Sequence, residues 1–208
     1  ASCGEVDVNI AASSSKQAFK IWKKTRSQER AELVRACAKI INDHAEELAL
    51  IMSLETGKAL RTESRVELTT IAATFDFYAG LALEIKGETI PFDPGMLTLT
   101  TREPLGVVCA IVPWNVPLLL MAMKVAPALV AGNVVVVKAS PEASFCVLRA
   151  VELMNQILPK GVLNVVTGGS ETGKLLVSHK DINKVTFTGS VESGRDVYKR
   201  AAEKLIPV

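Results

Sequence analysis

The residues best suited to chemistry lie where apolar runs stop. In CAIVPWNVPLLL, Cys109 to Leu120, a stretch fit for a protein core is interrupted by Trp114 and Asn115 between Pro113 and Pro117. Proline cannot continue a central strand and drives the residue before it into extended geometry. The chain is therefore expected to leave a strand near Val112 and to re-enter regular structure near Pro117. An asparagine amide fixed on that turn offers N–H donors to negative charge developing on a carbonyl oxygen; as an isolated motif it equally fits a turn cap. In NVVVVKAS, Lys138 follows four consecutive valines, where its ammonium can donate to ribose hydroxyls or a phosphate, or simply reach solvent. In FTGSVESG, Phe187 to Gly194, Gly189 lets the backbone approach a ligand. The amides of the helix start and the Ser190 hydroxyl offer donors to an anionic diphosphate. The alternative there is a tight turn with a serine cap. Gly168 and Gly169, after GVLNVV, carry the same two readings.

The elements that must position these residues follow from the pattern around them. From Leu105 onward, short apolar runs alternate with helical stretches: GVVCAIV, PLLLMAMKVAPAL, NVVVVK, SFCVLRAVELMNQI, GVLNVV, ETGKLLVSH, KVTFTG and VESGRDVYKRAAEKL. Strand-then-helix units in succession imply a parallel sheet with helices on both faces, and such sheets bind ligands beyond the carboxyl ends of their strands. Those ends carry VPWN, VKASPE, VVTGG and FTGS. The dinucleotide fingerprint GxGxxG is absent, so a nucleotide site here is of another type.

The preceding part reads as helical from Ile10 to Leu83. Its clearest stretch is Arg30 to Met52, where Leu33, Cys37, Ile40, Ile41, Leu48 and Ile51 recur at three and four. Ser27 is the expected N-cap and Gly57 the expected stop. A second helix runs from about Glu63 to before Gly87, and Pro91 to Gly95 makes a turn. Leu97 to Arg102 alternates apolar residues with threonines, as an exposed strand or hairpin arm does.

Composition narrows the function classes. The 208 residues are 49% hydrophobic and 22% charged, with 24 Lys plus Arg against 22 Asp plus Glu. That is a globular balance without the basic footprint of a nucleic-acid or anionic-membrane binder. Cys3, Cys37, Cys109 and Cys146 are widely spaced, as reduced thiols of a cytoplasmic protein are. His44 and His179 have no partner at ligand spacing, so no metal site is indicated. No leader or membrane-spanning pattern is evident, and both chain ends look cut.

Taken together and in order, PWNVP, GNVVVVK, GVLNVVTG and KVTFTGSVESGR strongly resemble the NAD(P)-dependent aldehyde dehydrogenase superfamily. LETGK and REPLGVV extend the likeness through the helical part. The resemblance implies an α/β fold, with residues 1–96 as a helical part of the cofactor-binding domain, 97–104 as the start of an oligomerisation hairpin and 105–208 as a Rossmann-like domain binding NAD or NADP. It makes Asn115 the oxyanion stabiliser and Lys138 the adenosine-ribose contact. It places Gly189 and Ser190 at the diphosphate, with Gly194 and Phe187 in the same segment. Ile111, Val112, Pro113 and Trp114 run along the cofactor, and Ser140, Gly168 and Gly169 complete the cofactor set. Val116, Leu120, Met123 and Lys124 become neighbours of the active site.

Two departures from the family pattern stand out. A glutamate often found three residues after the lysine is Pro141 here, and Glu142 comes one later, which leaves NADP open. The aromatic residue that often follows the asparagine is Val116, pointing to a smaller, apolar substrate passage.

In the family a cysteine thiolate attacks the aldehyde, hydride passes to the nicotinamide, and water activated by a glutamate hydrolyses the thioester. The family's general-base glutamate and nucleophilic cysteine fall beyond Val208, so the catalytic domain is expected to be missing and this chain alone inactive. A small-molecule aldehyde and a homo-oligomeric full-length enzyme are the implied partners. A shortened, non-catalytic nucleotide-binding module and an acylating relative of the same fold are the alternatives.

Overall fold

The computed structural model describes residues 2–208. Four long helices come first: α1 (Glu5–Trp22), α2 (Ser27–Asp43), α3 (Ala45–Thr56) and, after a π-helical turn at Leu60–Ser64, α4 (Arg65–Gly80). The single helix expected from Arg30 to Met52 is broken at His44. Ile41 and Leu48 are seven residues apart, so the apolar stripe stays in phase across the break and the sequence gives no sign of it. Ser27 is not the cap of α2 but its first residue, Arg26 standing at the N-cap. Gly57 does end α3, in the left-handed conformation (φ 76°) that glycine adopts without steric cost.

The helical stretch Leu60–Glu84 is long and apolar enough, by length and composition, to cross a membrane. Its buried Leu68, Ile71, Phe75 and Ala79 instead form a stripe at spacings of three and four that packs against α2 and a later helix, Pro117–Val130.

A two-stranded antiparallel ribbon joins the halves, β1 (Thr89–Ile90) with β2 (Thr98–Leu99). The hairpin arm expected over Leu97 to Arg102 is thus two paired residues long, and its partner strand precedes residue 97. A two-residue strand is below the length at which alternation can be read.

The remainder alternates strictly: β3 (Val107–Ile111), α5 (Pro117–Val130), β4 (Val134–Ala139), α6 (Phe145–Met154), β5 (Leu163–Thr167), α7 (Ser170–Ser178), β6 (Ile182–Phe187) and α8 (Val191–Ala202). The four strands are parallel in the order β5-β4-β3-β6. Every residue of β3 and β4 is buried, as central parallel strands covered on both faces must be. Helices α5 and α6 pack on one face behind α2, α3 and α4, while α1 and α7 cover the other. Because the chain winds from β3 out to β5 and then returns to β6, the strand order reverses between β3 and β6. That reversal opens a crevice at their carboxyl ends.

Candidate functional site at the strand ends

A cleft of about 550 Å³ opens over the carboxyl ends of the sheet, between α7 and α8. Ile111 and Phe187 form its floor at the ends of the neighbouring strands β3 and β6, where they are register partners. Lys138 enters from β4, paired across to Ile111. Gly169 and Ser170 begin the α7 wall, and Glu192, Ser193 and Asp196 belong to the α8 wall.

Lys138 is the most informative group. The residue is only 7% exposed, and its ammonium has neither a hydrogen bond nor an ion pair among the described residues. Burial pushes its pKa below that of free lysine, and the Glu142 carboxylate pulls it part of the way back. A charge kept in such a place without a partner is costly unless something polar arrives to meet it. A ligand with acceptor groups would meet that ammonium from the cleft side.

The next turn is tight. The amide of Ala143 donates to the carbonyl of Ser140 at 3.2 Å, which folds Pro141 and Glu142 to the rim of the cleft. The Ser140 hydroxyl then donates to Glu142 Oε2. That bond, with the amide of Glu142 itself, holds the carboxyl below the usual carboxylate range.

The glycines divide by role. Gly169 is the N-cap of α7, and a Cβ there would meet nothing within 4 Å, so its face is open to a ligand. Gly168, with φ 144°, faces away: a Cβ on it would lie 2.1 Å from Thr172 Oγ1. Gly189 and Gly194 accommodate the Phe187 ring, whose Cζ would be 2.6 Å from a Cβ at Gly189 and whose Cε1 would be 3.3 Å from one at Gly194. Ser190 is the N-cap of α8; its hydroxyl accepts from the Ser193 amide at 3.2 Å.

Residues 112–116 cross the end of the sheet towards α5. Val112 is still anchored, its amide donating to the Lys138 carbonyl at 3.2 Å, while Trp114 and Asn115 are exposed on the bend. The Asn115 amide has no hydrogen-bond partner among the described residues. Pro117 is the first residue of α5, as its fixed φ and missing N–H favour. Val116 is the N-cap of that helix, and Leu120 and Met123 lie on it, with Met123 exposed. Lys124 Nζ donates to Thr188 Oγ1 at 2.7 Å, joining α5 to the end of β6, and burial lowers its pKa. Of the residues singled out from sequence, the cleft itself gathers Ile111, Lys138, Gly169 and Phe187. The others lie on the turns that follow the strands, except Leu120, Met123 and Lys124 within α5 and Gly194 within α8.

Sequence reasoning missed both helical walls. Ser170, Gly173, Lys174 and Val177 on α7, like Glu192, Asp196 and Arg200 on α8, recur at three and four from a strand end, a spacing that any helix face shares. It also missed Glu67, which no local pattern reveals. This buried carboxylate on α4 accepts from the Leu119 amide in the first turn of α5 at 3.3 Å and pairs with Lys58. It thereby holds the helix that follows Asn115.

Comparison with known proteins now bears on this geometry. The model of the aldehyde dehydrogenase family matches residues 1–208. The chain belongs to the aldehyde dehydrogenase family. Among curated relatives of this aldehyde dehydrogenase chain, 4-trimethylaminobutyraldehyde dehydrogenase of Rattus norvegicus is 38% identical over 206 residues, covering 99% of this chain and 42% of its own length. The Bos taurus enzyme of that name is 39% identical over the same coverage. The chain thus spans about two fifths of the curated relatives it matches. Among solved structures, PnpE from Pseudomonas sp. WBC-3 superposes with a TM-score of 0.96 at 40% identity, covering 100% of this chain and 43% of that one. PnpE in complex with nicotinamide adenine dinucleotide matches to the same degree. A betaine aldehyde dehydrogenase from Staphylococcus aureus in complex with NAD+ gives 0.95 at 36% identity, again covering 100% of this chain and 43% of that one. The α/β fold with its parallel four-stranded sheet is the fold of the portion of these structures that the chain covers.

Proposed function

We propose that these residues form the cofactor-binding portion of an NAD(P)-dependent aldehyde dehydrogenase that oxidises an aldehyde to a carboxylic acid. The observation that carries this is Lys138: a buried, unpartnered ammonium directed into a strand-end cleft, one strand away from the bend that exposes Asn115. The nicotinamide cofactor, when bound, supplies the hydride acceptor. The chain's own residues do the rest of what can be assigned here. Lys138 donates to acceptor oxygens of the cofactor. Gly169 leaves room for close backbone approach, and Ile111 and Phe187 give an apolar floor that excludes water. Asn115 presents unengaged amide donors to an aldehyde oxygen as negative charge builds on it.

Catalysis by these residues requires a nucleophile, and the thiols of the chain do not suit that role. Cys37, Cys109 and Cys146 are buried, and burial drives the first two up to about 12. Cys3 is tied to Thr167, whose amide reaches its Sγ at 3.4 Å. The reading therefore places the nucleophile outside residues 1–208, and the aldehyde as the substrate of the larger enzyme. It takes the ribbon of β1 and β2, with Phe92, Leu97 and Leu99 exposed, as part of a homo-oligomer contact, and the unpaired cysteines as those of a cytoplasmic protein. Val116, Leu120 and Met123 would line a passage that favours short aliphatic over bulky aromatic aldehydes.

Titration with NAD, followed by quenching of the exposed Trp114, tests the central claim. Saturable binding that Lys138→Met weakens is expected; binding unaffected by that substitution would place the cofactor elsewhere.

A further inference from the structure

The helices α7 and α8 face each other across the cleft, and among the described residues no hydrogen bond or ion pair joins them along their length. Their cations pair within their own helices, Lys174 with Glu171 at 2.7 Å and Arg200 with Asp196 at 2.9 Å. The polar link comes where the helices end, and Lys204, in the turn after α8, makes it. Its Nζ donates to the carbonyls of His179 at 2.5 Å, Ile182 at 3.0 Å and Val177 at 3.3 Å. Val177 lies in the last turn of α7, His179 is the C-cap of that helix and Ile182 opens β6. The ammonium thus directs all its donors into one loop, at the helix end whose carbonyls are open and whose dipole favours a cation.

The backbone is bent to put Lys204 there. Leu205 adopts φ 53°, a left-handed conformation that leucine rarely takes, yet its side chain is 93% exposed and gains nothing from it. The Ile206 amide donates to the Ala201 carbonyl at 3.2 Å, and the Val185 amide to the Pro207 carbonyl at 2.9 Å, so the turn is held on both sides. Strain kept without packing at the strained residue points to its neighbour. On its other side the same loop is tied to α1, through Lys16 and Asp181 at 2.6 Å and through Asn9 and His179 at 3.0 Å. Side chains fix the loop to α1, and its carbonyls fix it to the end of α8. Val177 lines the cleft on α7, as Val197 and Arg200 do on α8, so a loop released from Lys204 would let the two walls part.

We propose that Lys204 is a positioning residue that sets the gap between α7 and α8 and thereby the affinity of the cleft for its dinucleotide, an inference that rests on the cofactor-site reading above.

The test is calorimetric titration with NAD of the unmodified protein, Lys204→Ala and Lys204→Met, with thermal melts to verify folding. Each titration is repeated in n-propylammonium chloride, with sodium chloride at equal ionic strength as control. Both variants are expected to bind NAD about tenfold more weakly, because the walls must then be ordered on binding. Propylammonium replaces the atoms missing from Lys204→Ala and should restore most of its affinity. It should restore none in Lys204→Met, whose side chain still fills the channel, a contrast that general loss of structure does not produce. Lys204→Met also carries the affinity measurement should Lys204→Ala not fold. Unchanged affinity beside a lowered melting temperature would make Lys204 a helix cap only and overturn the proposal, as would a loss in Lys204→Ala that propylammonium does not recover. Either result leaves the cofactor site standing, whereas no binding of NAD by the folded unmodified protein overturns that site and this inference together.

Discussion

At the scale of the residue, the cofactor contact proposed for Lys138 would couple the cost of burial to ligand binding, and alkaline pH should separate the two. Its pKa is lowered in the fold, so the folded chain gives up this proton at a lower pH than the unfolded chain does. Between those two values the unfolded state binds more protons, and this residue's contribution makes stability rise with pH. Cofactor affinity, which needs the ammonium, should fall through the folded-state pKa. Melting temperature and NAD affinity measured across alkaline pH are expected to show these opposite trends. Both contributions should vanish in Lys138→Met, which should also lose about tenfold or more in affinity, as loss of a charged hydrogen bond of about 1.5–3 kcal/mol implies. A gain of affinity with rising pH would refute the assignment. Gly189 makes a second residue-level case. A methyl group there would meet the Phe187 ring at 2.6 Å, so Gly189→Ala should displace the ring and cost about 1–3 kcal/mol. Denaturant melts would measure the cost, and a crystal structure would show the ring.

At the scale of the element, the helices that follow the two most chemical turns are capped from a distance. Glu67 on α4 accepts from the first turn of α5, after Asn115. Glu55 on α3 accepts from Phe145 and Cys146 at 2.8 and 2.9 Å, at the start of α6, after Lys138 and Glu142. A carboxylate at a helix N-terminus satisfies open amides and meets the positive end of the helix dipole. Glu55→Ala should therefore cost about 1–2 kcal/mol. Glu67→Ala should cost more, about 3–5 kcal/mol, because it strands Lys58. Replacing both, as Lys58→Met with Glu67→Leu, should restore much of that loss in urea melts; a double variant as unstable as Glu67→Ala would show that the amide, not the ion pair, dominates.

Such remote caps also mark the limit of what was legible in the sequence. The alternation of β3 to α8 could be read because buried parallel strands are continuous apolar runs, and Pro117 and Gly57 announce a helix start and stop through their own backbone preferences. The break at His44 could not be read, since the apolar stripe passes through it in phase. Nor could Glu55 and Glu67, whose partners lie 90 and 52 residues away. The positions of Lys138 at the end of β4 and of Asn115 on the bend after β3 were legible, because each ends an apolar run. The α7 and α8 walls were not, because their polar residues resemble any solvated helix face until the sheet supplies the opposite wall.

At the scale of the whole molecule, the distribution of thiols limits what residues 1–208 do unaided. Cys37 and Cys109 are raised to about 12, and Cys146 higher still, by burial and then by the carboxylate of Glu55. A thiolate is the attacking species in aldehyde oxidation by this family, and none of these cysteines forms one near neutral pH. A colorimetric thiol reagent should therefore label at most Cys3 rapidly in the native chain, and all four cysteines in denaturant. In the proposed role, Asn115 stabilises charge on a carbonyl oxygen only after something has attacked the carbon, and the buried thiols Cys37, Cys109 and Cys146 do not suit that attack. Mixed with NAD or NADP and a panel of aldehydes, residues 1–208 alone should bind cofactor but produce no NAD(P)H by absorbance. Turnover that persists after rigorous repurification, and disappears on alkylating a single cysteine, would identify a nucleophile within this chain and remove the need for another domain.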